Sequence, residues 1–391
     1  MARFLVVVVP LVARVWPAVA IGEALAEAGH EVAWCGPESA LRPLLHPDAT
    51  IFPTGKRSYR QTAQMGSAAV RELWDEYVLP LNRFIARTVD QAMARYRPDV
   101  VLADQYALAG ALAAEKLDIR WATLAAGVLE LTPPIEDPGL QDWVRSKVRQ
   151  VMTASGLPDD KGVDPLFSPH LVIATTAQAL IGATVPAHWA LIGAALGTRR
   201  GDPDFRWDWW DSDQRHVLVT AGTLSAHLVE GFLARVLAAL GPMAGRVQVV
   251  VNAAPEAVPG PPANVLVAAR IPMLKLMPRL DAVICQAGQS TVNEALIHGV
   301  PLVVAPIRLG ELATAGQVTR TGAGIAVSMA NSTVTEIAAA VTAVLDEPGY
   351  RAQARRMAQE FASAGGTKVA AERLAALAAR PAAPEPPRGG I

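Results

Sequence analysis

The sequence contains little cysteine, and its histidines are scattered. Cys35 and Cys285 are the only two cysteines in 391 residues. Each lies within an apolar stretch, and neither has the spacing of a zinc site or of a redox pair. The seven histidines also lack the spacing of metal ligands. We therefore predict two small buried cysteines and no metal site.

The sequence also lacks an excess of charge of either sign. It has 35 lysine and arginine residues against 36 aspartate and glutamate residues, which leaves a formal net charge of -1. Proteins that bind nucleic acid present a basic field to its phosphate backbone. This balance predicts no nucleic acid partner, although it is compatible with a local phosphate site.

Long hydrophobic runs are absent too. No uninterrupted apolar stretch reaches the roughly 18 residues of a membrane span. The amino-terminal segment MARFLVVVVPLVARVWP resembles a signal peptide, but Arg14 and Pro17 follow its short apolar run, and no small-residue cleavage site ends it. We therefore predict a buried first strand, no membrane span and a cytoplasmic location.

What the chain does contain is an alternation of strands and helices. RFLVVVV is typical of a buried strand, PAVAIGEALAEAG of a helix and HEVAWCG of a second strand. Such an order predicts a parallel sheet with crossover helices, and the same order begins again at HVLVTAGT. The predicted fold class is α/β, with two doubly wound domains that face a central cleft. Within the first domain, the segment from Leu129 to Gly156 is predicted to be less regular.

A polar, irregular segment, TRRGDPDFRWDWWDSDQRH, divides the two domains. Its three tryptophans indicate a connector that packs on other parts of the protein. We assign residues 1–200 to the first domain, 201–215 to the linker and 216–378 to the second domain. The remaining residues, 379–391, are predicted to form a disordered tail, because RPAAPEPPRGGI is rich in proline and glycine.

The segment CQAGQSTVNEALIHGVP is predicted to join a strand to a helix. The first amides of such a helix and its positive dipole end suit phosphate oxygens. Gly288 allows a ligand to approach the backbone, while Ser290 and Thr291 offer hydroxyl donors. Glu294 follows one helical turn later, where it would accept a hydrogen bond from a sugar hydroxyl. The alternative is that these residues form only an ordinary helix start with a solvated glutamate.

A second turn, TAGTLS, follows the leading strand of the second domain. Its Gly222 and Thr223 face the same cleft if the sheet is parallel. Two such turns suggest a nucleoside diphosphate as ligand, although neither matches a P-loop or a GxGxxG fingerprint.

These motifs together resemble a known family. CQAGQSTVNEALIHGVPLVVAPI, with VLVTAGT and RIPMLKLMPRLDAVI before it, is similar to the nucleotide-binding half of nucleotide-sugar-dependent glycosyltransferases with the GT-B fold. More narrowly, it resembles the actinobacterial enzymes that decorate antibiotics. The first domain resembles them in FLVVVVPLVARVWPAVAIGEALAEAGHEVAW and in PDVVLADQYALAGALAAEKLDIRWATLA. The resemblance implies two Rossmann-like domains, an acceptor-binding one followed by a nucleotide-sugar-binding one.

The resemblance also implies ligands and partners. The acceptor would be a hydrophobic natural product, and a nucleoside diphosphate sugar would serve as co-substrate, with no resident cofactor. The apolar surface that the composition implies makes a homodimer a further expectation.

The resemblance assigns a role to individual residues of the second domain, each at a matching position of the family's motifs. Gln286 stands where the family has a histidine on the donor phosphate, and Glu294 matches the ribose-binding acid. The implied donor contacts also include Gly222, Thr223, Ile271, Gly288, Ser290 and Thr291, with Ile271 gripping the nucleobase through its backbone. Gly310 and Glu311 replace an Asp-Gln pair that binds the donor sugar in the family, so a carboxylate is missing at position 310.

The first domain departs from the family at its catalytic position. Ala13 and Arg14 replace a Gly-His pair whose histidine is the general base. Arginine stays protonated and cannot be that base. The aspartate that orients the histidine aligns with Asp104, which predicts an ion pair between Arg14 and Asp104. Trp16 and Glu130 are assigned to the acceptor pocket.

Two hypotheses follow from these departures. In the first, the protein still transfers a sugar, but to an acidic acceptor that needs no histidine base. In the alternative, it is a non-glycosylating descendant whose cleft catalyses another reaction on a natural-product intermediate, or binds such an intermediate or a partner enzyme.

Overall fold

The computed structural model describes residues 1–55, 57, 64, 66–127, 131, 137–157, 162–200, 202–221 and 226–380. Within these residues the chain forms two parallel sheets, one after the other along the sequence. The predicted α/β class is confirmed.

The first sheet contains seven strands among the described residues. They are β1 (Arg3–Val7), β2 (Glu31–Gly36), β3 (Thr50–Pro53), β4 (Val100–Asp104), β5 (Arg120–Ala125), β6 (Val172–Ala174) and β7 (Trp189–Leu191). Their order is β3-β2-β1-β4-β5-β6-β7, and all neighbours pair in parallel. In this register Val7 lies opposite both Cys35 and Ala103, so the carboxyl ends of β1 and β4 lie side by side.

Helices cover both faces of this sheet. They include α1 (Val12–Glu27), α2 (Glu38–Leu41), α3 (Gly66–Glu72), α4 (Leu79–Tyr96), α5 (Leu108–Lys116) and α6 (Pro138–Ala154), with a π-helix at Leu73–Val78 between α3 and α4. The short helix α7 (Gln178–Ile181) instead packs its Leu180 into the core of the second domain. The expectation of a less regular segment from Leu129 to Gly156 is wrong over α6. This helix buries Leu140, Val148 and Val151, whose spacing gives it one apolar face.

The second sheet repeats the winding of the first. Its strands among the described residues are β8 (Arg215–Thr220), β9 (Val247–Asn252), β10 (Val265–Ala268), β11 (Ala282–Cys285), β12 (Leu302–Val304) and β13 (Gly324–Ala326). Their order, β10-β9-β8-β11-β12-β13, is the doubly wound order of a Rossmann domain. The accompanying helices are α8 (Ala226–Leu240), α9 (Met273–Leu276), α10 (Gln289–Ile297), α11 (Leu309–Arg320), α12 (Val334–Asp346), α13 (Pro348–Ser363) and α14 (Gly366–Ala379).

The last helix packs away from the domain to which the sequence assigns it. The predicted second domain, 216–378, contains most of α14, but Leu374 and Leu377 join the core of the first domain beside Phe4 and Ile21. The Arg120 guanidinium also donates to the carbonyl of Leu377 at 2.6 Å. An apolar stripe on α14 therefore completes the packing of the first sheet.

The connector between the domains packs through its aromatic residues, as predicted. The Trp210 ring stacks on His216 at 3.6 Å between centroids. Trp209 donates from Nε1 to the carbonyl of Ala263 at 3.1 Å. These contacts fix the connector to the second domain.

Both cysteines are buried, Cys35 in β2 and Cys285 in β11. Burial raises the pKa of each thiol to about 12, so both stay protonated and unreactive. Across the described ranges, no group of three or more histidine, cysteine, aspartate or glutamate side chains is arranged to hold a metal ion. No helix in that part of the chain is long and apolar enough to cross a membrane.

Candidate active site

Arg14 and Asp104 meet at the carboxyl edge of the first sheet. Asp104 is the last residue of β4, and Arg14 lies in the first turn of α1, which follows the neighbouring strand β1. The Arg14 Nη1 atom lies 3.3 Å from Asp104 Oδ2 and 3.4 Å from Oδ1. The structure therefore contains the ion pair that the sequence predicts.

This pair is held in a tight, buried environment. Asp104 is 2% exposed and Arg14 is 8% exposed. Burial raises the pKa of Asp104, against the opposing effects of the Arg14 charge and the Tyr106 amide. The Arg14 guanidinium lies 3.7 Å from the centre of the Tyr106 ring. A β-carbon at Gly127 would lie 3.3 Å from Arg14 Nη2, so glycine leaves room for the guanidinium.

The π-helix at Leu73–Val78 brings two further aromatic residues to this region. Trp74 and Tyr77 are fully buried, and the Trp74 ring packs edge-on against Tyr106 at 6.0 Å between centroids. Burial and the nearby Asp104 carboxylate raise the pKa of the Tyr77 hydroxyl. Sequence analysis did not identify Tyr77. π-Helical turns are often found at functional sites, but their register does not follow from an ordinary helical pattern.

The turn before α10 depends on a contact between two of its own residues. A β-carbon at Gly288 would lie only 2.9 Å from Gln286 Nε2, so a larger residue there would force the end of the glutamine side chain to shift. Gln286 is 9% exposed, and its Oε1 atom accepts no hydrogen bond from the described residues. Ala287 between them adopts a left-handed backbone conformation, with φ of 64°.

One face of α10 is docked on the first domain. Ser290, Asn293 and Glu294 share this face because they are three and four residues apart. Asn293 Nδ2 donates to the carbonyl of Thr175 at 2.7 Å. Ser290 Oγ donates to the carbonyl of Ala13 at 3.2 Å. The predicted donor-binding helix therefore forms direct hydrogen bonds across the cleft.

Pro17 explains why the Ala13 carbonyl can accept this bond. Pro17 lies inside α1 and has no N–H. It cannot donate to the carbonyl four residues earlier, which belongs to Ala13. The hydroxyl of Ser290 takes the place of the missing helical donor.

Glu294 forms an ion pair rather than facing open solvent. Its Oε1 atom is bonded to Nη2 of Arg199, and Glu294 is 4% exposed. Burial raises the pKa of Glu294, and the charge of Arg199 opposes this effect. The guanidinium of Arg199 also lies 5.1 Å from the centre of the Trp16 ring. Trp16, predicted on the acceptor side, and Glu294, predicted on the donor side, thus line one small pocket.

The remaining predicted site residues have varied surroundings. Thr291 lies in the first turn of α10 and is half-buried. Ile271 is buried in the core, and its carbonyl accepts from the Met273 amide at 2.9 Å. Gly222, Thr223 and Glu130 lie outside the described residues.

Glu311 caps the amino terminus of α11. Its Oε2 atom accepts from the amides of Ile307 and Arg308, at 3.0 and 2.9 Å. Burial raises the pKa of Glu311, and these two amides oppose the shift. A sugar hydroxyl at this carboxylate would therefore have to bind beside a helix cap that is already formed.

Comparisons with known proteins connect this geometry to a class of enzymes. Residues 234–377 match the model of the erythromycin biosynthesis protein CIII-like C-terminal domain. The 4'-demethylrebeccamycin synthase of Lentzea aerocolonigenes is 40% identical over 159 residues, which are 40% of this chain and 37% of that relative. The matched part of this chain thus spans well under half of that relative's length.

Solved structures resemble the whole described fold. The glycotransferase of kitacinnamycin has a TM-score of 0.79 at 21% identity, over 96% of this chain and 99% of that chain. Glycosyltransferase SsfS6 of Streptomyces sp. SF2575, complexed with thymidine diphosphate, has a TM-score of 0.72 at 22% identity, over 96% and 100% of the two chains. The protein has the GT-B fold of these glycosyltransferases. In sequence it resembles glycosyltransferases of actinobacterial natural-product pathways.

Proposed function

We propose that the protein transfers a sugar from a nucleoside diphosphate sugar to an acceptor whose attacking oxygen is already ionised. A carboxylate, an acidic phenol or an enol would meet this requirement. The observation that carries the proposal is the buried pair of Arg14 and Asp104 at the position of the expected general base. The GT-B fold and the resemblance to natural-product glycosyltransferases support the reaction class.

The chemistry follows from the charge of Arg14. A guanidinium cannot remove a proton from a hydroxyl group, but it attracts an anion and holds it near the cleft. The acceptor oxygen then forms a bond to the anomeric carbon. At the same time the bond from this carbon to the phosphate oxygen breaks, and its electron pair leaves with the nucleoside diphosphate. No proton has to be transferred.

The acceptor would also be largely aromatic or apolar. Trp16 is partly buried and lines the small pocket beside Arg199. A flat acid would suit such surroundings because its ring packs on an aromatic group while its charge is attracted by Arg14. A cytoplasmic location, expected from the amino-terminal segment, and a homodimer, expected from the apolar composition, are further parts of this proposal.

The start of α10 supports binding of the leaving diphosphate. Helix amino termini favour anions through their free amides and dipole. Gln286 contributes an uncharged amide there, so the helix would have to stabilise the leaving group without the family's imidazole. The bound thymidine diphosphate in the SsfS6 structure supports a nucleoside diphosphate as ligand of this fold.

A second candidate function is favoured by the bonds across the cleft. Ser290, Asn293 and Glu294 are all bonded to the first domain or to Arg199, which follows β7. A cleft that needs no nucleotide would retain such bonds permanently. In that case the protein would bind, or act in another way on, a natural-product intermediate.

The first test is calorimetry with uridine and thymidine diphosphates. The transferase proposal expects saturable binding of at least one of them at or below millimolar concentration. Absence of heat at millimolar nucleotide, confirmed by unchanged thermal unfolding, would favour the second candidate instead.

The second test replaces Arg14 by histidine. We expect the wild-type rate for a series of substituted phenols to follow the acidity of the phenol, because the ionised acceptor is the reacting species. Arg14→His should gain transfer to an ordinary alcohol by about 10² to 10⁴, the usual contribution of a general base. Arg87→His, a change at an exposed position of α4, is the matched control and should gain nothing. An equal gain in both variants would contradict the assignment.

A further inference from the structure

The carboxylate predicted to hold the ribose already has a partner within the protein. Glu294 is bonded to Arg199 and is almost completely buried. Glu294 and Arg199 both line one small pocket, together with Trp16 and Ser290 among others. A ligand that binds to Glu294 in this pocket therefore has to compete with the Arg199 guanidinium.

Arg199 is placed by close packing against α1. Gly197 lies so near to α1 that a β-carbon there would come within 2.8 Å of the Ala20 backbone. The amide of Thr198 then donates to Glu23 Oε2 at 3.1 Å. One face of α1 carries Trp16, Ala20 and Glu23. The three consecutive residues 197–199 each contact this face. The position of Arg199 is therefore built into the fold.

We propose that Arg199 sets the affinity for the nucleotide by occupying the Glu294 carboxylate, so that a nucleoside diphosphate displaces this guanidinium when it binds. This inference rests on the proposed transferase function and concerns the control of its donor site. Arg199 acts through Glu294 and touches no reacting atom, so it is a positioning residue.

The sign of the effect follows from the partners of Glu294. In the free protein Arg199 compensates the buried charge of Glu294, and binding has to break this pair. If residue 199 cannot pair with the carboxylate, Glu294 is buried in the free protein without its partner. A ribose hydroxyl can then bond to Glu294 without breaking an existing pair. Removing the guanidinium should therefore strengthen nucleotide binding. A residue that held the phosphate would have the opposite effect.

The experiment compares graded substitutions at position 199 by calorimetry with uridine and thymidine diphosphates. Arg199→Leu cannot donate to Glu294 and should lower the Kd about tenfold. Arg199→Gln retains a weaker donor, so its Kd should lie between that of Arg199→Leu and that of the wild type. Arg200→Gln changes the exposed neighbouring arginine and should leave the Kd unchanged. Circular dichroism and thermal unfolding of each variant show that it is folded.

Hydrogen exchange supplies a second measurement on the wild-type protein. Nucleotide should increase exchange of the amides in residues 193–200, since release of Arg199 loosens this segment, and the increase should be absent in Arg199→Leu. Equal or weaker binding by Arg199→Leu would overturn the inference while leaving the transferase function in place. Failure of wild type and all variants to bind either nucleotide would overturn both.

Discussion

Gly288 lacks a β-carbon at the point where the Gln286 side chain passes it, with 2.9 Å between the ideal β-carbon position and Gln286 Nε2. Gly288→Ala should therefore destabilise the fold by about 1 kcal/mol, the low end of the usual cost of overpacking, because the opposing atom is the end of a flexible side chain. In a Gln286→Ala background the same substitution should cost much less, because the opposing atom is gone. Urea unfolding of the four proteins gives this comparison.

The matched control is Gly316→Ala. Gly316 lies in α11, and a β-carbon there would contact nothing within 4 Å. Alanine should stabilise the protein at this position by about 0.5–1 kcal/mol through helix propensity. If Gly288→Ala were as harmless as Gly316→Ala, the contact with Gln286 would not explain the glycine.

Some contacts between side chains can be predicted from the sequence, and others cannot. Arg14 and Asp104 could be paired in advance because the resemblance aligns them with the family's histidine and its partner aspartate. The structure brings them together because Asp104 ends β4 and Arg14 follows the neighbouring strand β1. The bond between Arg199 and Glu294 could not be predicted, because the path of the chain after β7 depends on the close approach of Gly197 to α1. No periodic pattern encodes such an approach.

At the scale of whole elements, the connector is anchored through His216. Its ring stacks on Trp210, and its Nε2 atom lies 3.2 Å from Oε1 of Gln248. The Gln248 oxygen also accepts from the Asp211 amide at 2.7 Å, while Gln248 Nε2 donates to the carbonyl of Trp209. In this arrangement the Gln248 oxygen can accept a hydrogen bond from His216 Nε2.

The stability of this anchor should depend on pH. Burial lowers the pKa of His216, although Gln248 and Asp281 oppose the shift. The stabilisation by neutral His216 is therefore present above the unfolded pKa of about 6.5, and it is lost as the pH falls through that value toward the lower folded pKa. We expect urea unfolding to show a lower free energy of unfolding at pH 5 than at pH 7.5.

His216→Phe keeps an aromatic ring for the stack but cannot be protonated. It should lose less stability between pH 7.5 and pH 5 than the wild type does. The other titratable groups with shifted pKa values, including partly buried His170 and buried Asp104, are present in both proteins, so the difference between the two isolates His216. Parallel pH dependence in both proteins would show that this imidazole is not responsible.

Elements also differ in how well the sequence predicts them. The continuous β-branched runs of β1, β8 and β9 predict buried strands, and the structure contains them. The π-helix at Leu73–Val78 was missed, because its widened turn departs from the spacing of ordinary helices. α6 was missed because its apolar residues are separated by charged ones and follow the proline-containing sequence LTPPIED.

At the scale of the whole molecule, α14 links the last residues of the fold to the first. Leu374 is completely buried in the core cluster that contains Phe4 and Ile21. Leu374→Ala should destabilise the protein by about 2–5 kcal/mol. Hydrogen exchange should show that the first sheet loses protection before the second.

The control for this prediction lies on the same helix. Arg373 is exposed, so Arg373→Ala should change the free energy of unfolding by no more than about 0.5 kcal/mol. Loss of protection confined to the second sheet in Leu374→Ala would contradict the packing of α14 on the first domain.

The position of α14 also affects the order in which the protein folds during translation. Amino-terminal domains generally fold first as a chain is synthesised. Here the core partners of β1 on α14 are made only after the whole second sheet. The nascent first domain therefore keeps an apolar face open until α14 has been made. A chain released early, before residue 366, would lack the helix that covers this face and would offer it to chaperones.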